Sequence, residues 1–181
     1  MKRNYLISLF IIFLCSIFAK AVSEEPHVHG DVDLNIVKEN YILEIMLISP
    51  AVNIVGFEYL VSNAKERLAV EKANLQLAQH EKMFSFHNDS CGHLETSMIQ
   101  SGPAEKNRSE LSHDGHQHEH NKNVHSEFEI LYRYRCVKEV TSLSVNLKDH
   151  FSGISQINVR WIKDGVQGGT ILNTTKREII F

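Results

Sequence analysis

Glu127 to Cys136 reads EFEILYRYRC. In an extended chain Phe128, Ile130, Tyr132, Tyr134 and Cys136 share one face, and Glu129, Arg133 and Arg135 fall on the other. A two-residue period, apolar on one side and charged on the other, marks a half-buried β-strand. It is the clearest strand in the chain, and the other elements are read outward from it.

Upstream, Asp31 to Ser49 reads as a β-hairpin. Val32, Leu34 and Ile36 alternate with polar residues, Lys38-Glu39-Asn40 supplies the turn, and Leu43, Ile45 and Leu47 share one face of the return strand. Ile42, Met46 and Ile48 take its other face, so this strand is expected to be covered on both sides. Pro50 ends it, because proline has no N–H for the ladder. Ala51 to Leu60 is an apolar connection with Gly56 as its flexible point and Glu58 as a lone carboxylate, a solvated loop residue by default with a buried ligand or anchor as the alternative. Asn63 to about Phe84 is the one clear helix. Asn63 can cap it, with Glu66 three residues on. Val70, Ala73, Leu77 and Phe84 recur at helical spacing and form the expected buried stripe. Leu68 and Leu75 lie off it and would broaden the buried face. His80 falls near the stripe, where a packing or surface role is the default. Leu94 to Ile99 is a short strand.

Downstream, Leu143, Val145 and Leu147 mark a strand, and Lys148 to Gly153 a turn or short helical piece carrying His150. Ile157, Val159 and Trp161 mark another strand, and Asp164-Gly165 a turn. Thr170 to Leu172 and Glu178 to Phe181 read as final edge strands. Strands adjacent in sequence and joined by short turns argue for antiparallel pairing. The expected fold is therefore α+β: a mainly antiparallel sheet with one principal helix and a disordered His-rich insert.

That insert lies just before the central strand. Gln100 to Val124 is polar, and Ser112 to His125 reads SHDGHQHEHNKNVH. It carries His113, His116, His118, His120 and His125, with Asp114 and Glu119 among them. Imidazole suits Zn, Cu and Ni better than Mg or Ca. A pliable run of imidazoles offers several ligand sets and can close a tetrahedral shell on Zn²⁺ without help from a fold. The bland alternative is a hydrophilic loop that happens to be His-rich. His125 directly precedes the strand and so has the most rigid mount of the five. Near the other end of the chain, His27-Val28-His29 places two imidazoles on one side of an extended segment, a half-site or simply an exposed pair.

The chain has 181 residues and a net charge of −3 with histidine neutral. It is long enough for one domain with a real core, and it has no basic footprint for nucleic acid. Lys2 and Arg3, the apolar run Leu6 to Phe18, and Ala19-Lys20-Ala21 match a cleaved secretory signal, with the mature chain starting near Val22. The run is short for a span of about 20 residues, so no membrane span is expected after cleavage. Cys91 and Cys136 then remain. In an oxidising compartment they read first as one disulfide, closing a loop of roughly 45 residues, with a pair of zinc thiolates as the rival.

No nucleophile elbow, phosphate loop, dinucleotide fingerprint or HExxH occurs. A Gly/Asn/His loop favours capture and release over chemistry, since zinc catalysis needs a rigid frame with one open position. The chain is therefore read as no enzyme.

His27-Val28-His29-Gly30, Leu34-Asn35-Ile36 and Ser49-Pro50-Ala51-Val52-Asn53-Ile54-Val55-Gly56-Phe57-Glu58 resemble the N-terminal signature of the ZrgA-type zinc-uptake proteins. The likeness continues through the helix, Cys91, the His-rich insert, His125, Tyr132-Arg133-Tyr134-Arg135-Cys136, the Trp161 strand and Gln167-Gly168. It implies a periplasmic zinc-binding protein of Gram-negative bacteria that assists zinc import beside the solute-binding component of a zinc ABC transporter. Residues 1–21 would be the signal, 22–181 a single zinc-binding domain, and 100–124 a flexible His-rich loop within it. The metal set would be His27, His29, His113, His116, His118, His120 and His125, with Zn as the ion. Two positions depart from the family pattern: Tyr59 and Glu129 stand where relatives carry histidine. A nickel or copper metallochaperone, and a partner-binding module with a histidine pH switch, are the alternatives.

Overall fold

The computed structural model describes residues 28–105 and 126–181. The expected signal segment and His27, and His113, His116, His118, His120 and His125 in the insert, lie outside the described residues.

The elements run β1 (Asp31–Glu39), β2 (Ile42–Pro50), α1 (Ala51–Val55), α2 (Ala64–Leu77), α3 (His80–Met83), β3 (Phe84–Phe86), β4 (Cys91–Ser101), β5 (Glu127–Cys136), β6 (Ser142–Val145), α4 (Leu147–His150), β7 (Gln156–Lys163), β8 (Val166–Leu172) and β9 (Glu178–Ile180). Six strands form one sheet in the order β4-β5-β2-β1-β7-β8, and β3-β6-β9 form a small second sheet.

β5 behaves as its alternation demands. Phe128, Ile130, Tyr132, Tyr134 and Cys136 are buried, while Arg133 and Arg135 are exposed. Its neighbours β2 and β4 are both antiparallel to it. The sheet is mixed, however, because β1 pairs in parallel with β7, from Asp31 opposite Gln156 to Lys38 opposite Lys163. Local turns create antiparallel neighbours. A parallel pair between the first and seventh strands needs a long return path, which adjacency in sequence cannot reveal.

The inner face of the large sheet carries Leu34, Ile36, Leu43, Ile45, Leu47, Phe128, Ile130 and Tyr132, all buried. α2 lays Ala73 and Leu77 against this layer. The Tyr132 hydroxyl donates to the Leu77 carbonyl at 2.8 Å, so the helix end is bonded to the middle of the sheet. Burial pushes the Tyr132 hydroxyl far above its ordinary pKa, which keeps it a neutral donor. Asn63 caps α2 by accepting the Glu66 N–H at 3.0 Å. The Glu66 carboxylate reaches back to the Ser62 N–H at 2.8 Å, which holds its pKa below the usual carboxylate range.

Several sequence expectations change. α2 stops at Leu77, and Phe84, expected on the helical stripe, is buried in β3. Leu68 and Leu75 are exposed, so the buried face is narrow. Ala51 to Val55 is helical, and Gly56 at φ 86° is its C-cap. β4 is longer than the Leu94 to Ile99 strand expected, and Leu147 opens α4 instead of extending β6. Ile42, Met46 and Ile48 are half-buried, because a face bearing Glu44, Arg133 and Arg160 is wetted.

Candidate metal centre

The short helix α1 organises the end of the sheet from which the insert departs. Pro50 ends β2 and leads directly into α1, whose first N–H, on Ala51, donates to the Ser126 carbonyl at 2.8 Å. Beyond Gly56 the chain reaches Glu58. Its carboxylate Oε1 lies 3.6 Å from His29 Nε2, and its side chain is 18% exposed against 69% for the imidazole. The Glu58 carbonyl accepts the Ser126 hydroxyl at 2.7 Å. Three segments thus converge on one residue: the N-terminal turn with His29, the α1–α2 linker, and the start of β5. The sequence default for Glu58, a solvated loop carboxylate, gives way to a half-sheltered group facing an imidazole.

The geometry suits a metal. Two donors on one tetrahedral zinc, each about 2.0–2.1 Å from the ion, stand about 3.4 Å apart. At 3.6 Å the His29 nitrogen and Glu58 oxygen are too far apart for a hydrogen bond and close to that spacing. One imidazole and one carboxylate are half of a tetrahedral shell. Among the described residues no group of three or more histidine, cysteine, aspartate or glutamate side chains is assembled for a metal. His27 is two residues before His29, and His125 is covalently next to Ser126.

The insert is anchored beside this half-site at both ends. On its outgoing side the Val61 N–H donates to the Ala104 carbonyl at 2.9 Å, Val61 forms a parallel bridge with Glu105, and Arg67 Nε pairs with Glu105 at 2.7 Å. On its returning side stands Ser126, bound to Glu58 and Ala51. The described residues that flank the insert, Glu105 and Ser126, therefore both stand in the α1–α2 neighbourhood. The disulfide Cys91–Cys136, expected from the cysteine count, joins β4 and β5 at the opposite end.

The two departures from the family pattern have other uses here. Tyr59 is exposed, stacks on Phe57 at 4.9 Å, and its hydroxyl donates to Glu66 at 3.2 Å. Glu129 sits on the wetted face of β5, between Ile48 and Gln100.

A second histidine cluster lies near the disulfide, and sequence reading missed it. His80 and His93 stack with ring centroids 3.7 Å apart and planes 5° from parallel, and both meet the edge of Tyr134. Parallel rings cannot both aim an in-plane lone pair at one ion. His93 Nε2 is also engaged with Thr96 Oγ1 at 2.8 Å, and His80 Nε2 lies 3.5 Å from Glu81. Burial first, then the charge of His93, lowers the His80 pKa against the opposing pull of Glu81. The available signal was the disulfide: Cys91 opposite Cys136 sets a register that puts His93 opposite Tyr134.

An open trough of about 560 Å³ on β1, β7 and β8 is lined by Asn35, Val37, Arg160, Trp161, Ile162 and Gln167 among others, with no imidazole, thiol or carboxylate. It offers nothing to a metal. Among the described residues no helix is long and apolar enough to cross a membrane. Comparison with proteins of curated function finds no match. The sequence pattern of the ZrgA family of zinc uptake proteins matches residues 26–181, nearly the whole chain, and the chain belongs to that family.

Proposed function

We propose that the protein captures zinc reversibly outside the cytoplasm and passes it to an importer, with no catalytic step. The observation that carries this reading is the convergence on Glu58 of His29 and the stem of the His-rich insert. Zinc is cargo here. The insert histidines His113, His116, His118 and His120 act as a high-capacity, fast-exchanging first contact. His29 and Glu58, joined by His27 and His125, form the slower fixed site. Three imidazoles and a carboxylate match the ligand types that zinc accepts, and they leave the ion exchangeable where four thiolates would hold it.

The disulfide and the family both fit an extracellular or periplasmic protein. A signal over residues 1–21 and periplasmic residence complete the reading. The recipient is the solute-binding component of a zinc ABC transporter.

The test is a zinc titration against a competing chelator, using three forms of the full mature chain. The unaltered protein is expected to bind several ions. Replacing His113, His116, His118 and His120 by glutamine removes capacity and leaves one tight site. His29→Ala with Glu58→Gln keeps the capacity and weakens the tight site by about tenfold or more. If the tight site survives loss of His29 and Glu58, the fixed site lies elsewhere. If copper or nickel alone binds at the fixed site, the zinc assignment falls. Free imidazole titrates near pH 6.5, so zinc affinity at pH 5 is expected to be well below that at pH 7.5. Equal affinities would exclude imidazole ligands.

A further inference from the structure

An exposed histidine near a chain terminus is a poor ligand unless its backbone is held, because ordering it costs about 1–2 kcal/mol per residue. The backbone on either side of Gly30 is held to an unusual degree. His29 lies inside a turn closed by the Asp31 N–H donating to the Val28 carbonyl at 3.1 Å. The Gly30 N–H donates to Asn53 Oδ1 at 2.7 Å, and Asn53 Nδ2 donates to the Asp31 carbonyl at 2.8 Å. The Gly30 carbonyl accepts two N–H groups, from Ser155 at 2.7 Å and Gln156 at 3.1 Å. Gly30 itself adopts φ +93°, and a Cβ there would stand 2.8 Å from the Ser155 hydroxyl.

Asn53 is the centre of this arrangement. It is 3% exposed, and its amide uses one acceptor and one donor on consecutive residues of the turn. Its own backbone is pressed from behind, since a Cβ on Gly153 would fall 2.5 Å from the Asn53 carbonyl oxygen. Asn53 belongs to α1, the same five-residue helix whose C-cap leads to Glu58. One short element therefore sets both members of the half-site: Glu58 through the chain that leaves the helix, and His29 through the Asn53 side chain.

We propose that Asn53 is a positioning residue for metal capture, acting on the ion only by fixing the Gly30 buckle that presents His29 to Glu58. The inference rests on the fixed-site reading given above. It assigns a purpose to a buried polar group whose two bonds both go to the turn beside His29. An aspartate would keep the acceptor for Gly30 but set an oxygen against the Asp31 carbonyl. A leucine would satisfy neither partner.

The experiment uses the full mature chain with His113, His116, His118 and His120 replaced by glutamine, so that only the fixed site is read. Zinc affinity is measured by chelator competition at 25 °C, with the apo melting temperature recorded for each form. Asn53→Asp is expected to weaken zinc binding by about 10- to 100-fold, the range for groups that orient metal ligands. Gly30→Ala, which disturbs the same buckle from the Ser155 side, should lose affinity in the same direction and serves if Asn53→Asp does not fold. Tyr132→Phe, which removes the distant bond to Leu77, is the control for lost stability alone and should change affinity less than twofold. If the Asn53 and Gly30 variants bind zinc within twofold of their parent, the positioning role is overturned and the half-site reading stands. Affinity that merely tracks melting temperature across all three variants also overturns it. If the parent binds no zinc, the half-site reading fails and the Asn53 role fails with it.

Discussion

The β4–β5 hairpin has two unlike ends, roughly 30 Å apart at about 3.3 Å per strand residue. At the Cys91–Cys136 end the strands are joined covalently and two imidazoles are stacked on each other and meet Tyr134 edge-on. At the Ser126 end the strands part into the insert, and the one described imidazole stands open beside a carboxylate. Both ends carry histidine near an acidic residue, so composition does not separate them. What separates them is whether the protein already uses the ring. His80 and His93 are stacked face to face, with their Nε2 atoms facing Glu81 and Thr96 respectively. His29 is exposed and faces the Glu58 carboxylate at 3.6 Å.

The largest expected effect tests the independence of the two ends. Replacing Cys91 and Cys136 by serine frees a loop of 45 residues, which in the chain-entropy model costs about 3–4 kcal/mol of stability, measured by denaturant unfolding. Zinc affinity at 25 °C should stay within twofold. A matching loss of affinity would mean that the far end of the hairpin supports the metal site, and the contrast would fail.

Asn63→Ala acts nearer the insert. Loss of the cap that accepts the Glu66 N–H should cost about 1 kcal/mol, read as a lower melting temperature. Because Arg67 of the same helix pairs with Glu105 at the insert stem, backbone amides of 61–67 should exchange faster while those of β5 near Cys136 do not change. Uniform acceleration along the hairpin would show that its ends do not behave separately.

The smallest effect concerns acid. His80 has a folded pKa below its unfolded value. Its packing therefore contributes stability above about pH 6.5, and that contribution is lost as pH falls through the lower folded value. The groups that face it are His93, Glu81 and Tyr134. In metal-free protein the melting temperature should fall between pH 7 and pH 5 more steeply for the native chain than for His93→Ala, which removes the neighbouring positive charge. Equal slopes would show that the stack does not sense protons.

Much of the sheet was legible because burial on one face forces a period of two, and β1, β2, β5, β7 and the Asp164-Gly165 turn all carried it. α2 was legible at its start, where Asn63 and Glu66 provide a local signal. It was illegible at its end, because Leu77 and Phe84 keep helical spacing across a change of element. The parallel β1–β7 pair left no local trace. Of the site, His29 was readable as half of an HxH pair. Asn53 needed the fold, and so did the choice for Glu58 between a solvated residue and a buried one, since both positions depend on α1, a helix too short to declare itself by periodicity. The disulfide was readable from cysteine count and compartment, whereas the His80–His93 stack required the register that the disulfide sets.

The parallel pairing of β1 with β7 also bears on the order of events during synthesis. β1 with β2, and β4 with β5, are neighbours that can close early. β7 must join β1 across 125 residues, from Asp31 to Gln156, and contacts so distant along the chain form slowly. Until β7 arrives, β1 presents a bare edge and Gly30 lacks the two N–H groups of Ser155 and Gln156. The nascent chain thus carries its N-terminal histidines long before it can hold them in place. The turn at Gly30 is complete only when the chain beyond Ser155 has docked, so a chain stalled before that point would carry His29 and Glu58 without the bonds that hold the turn between them.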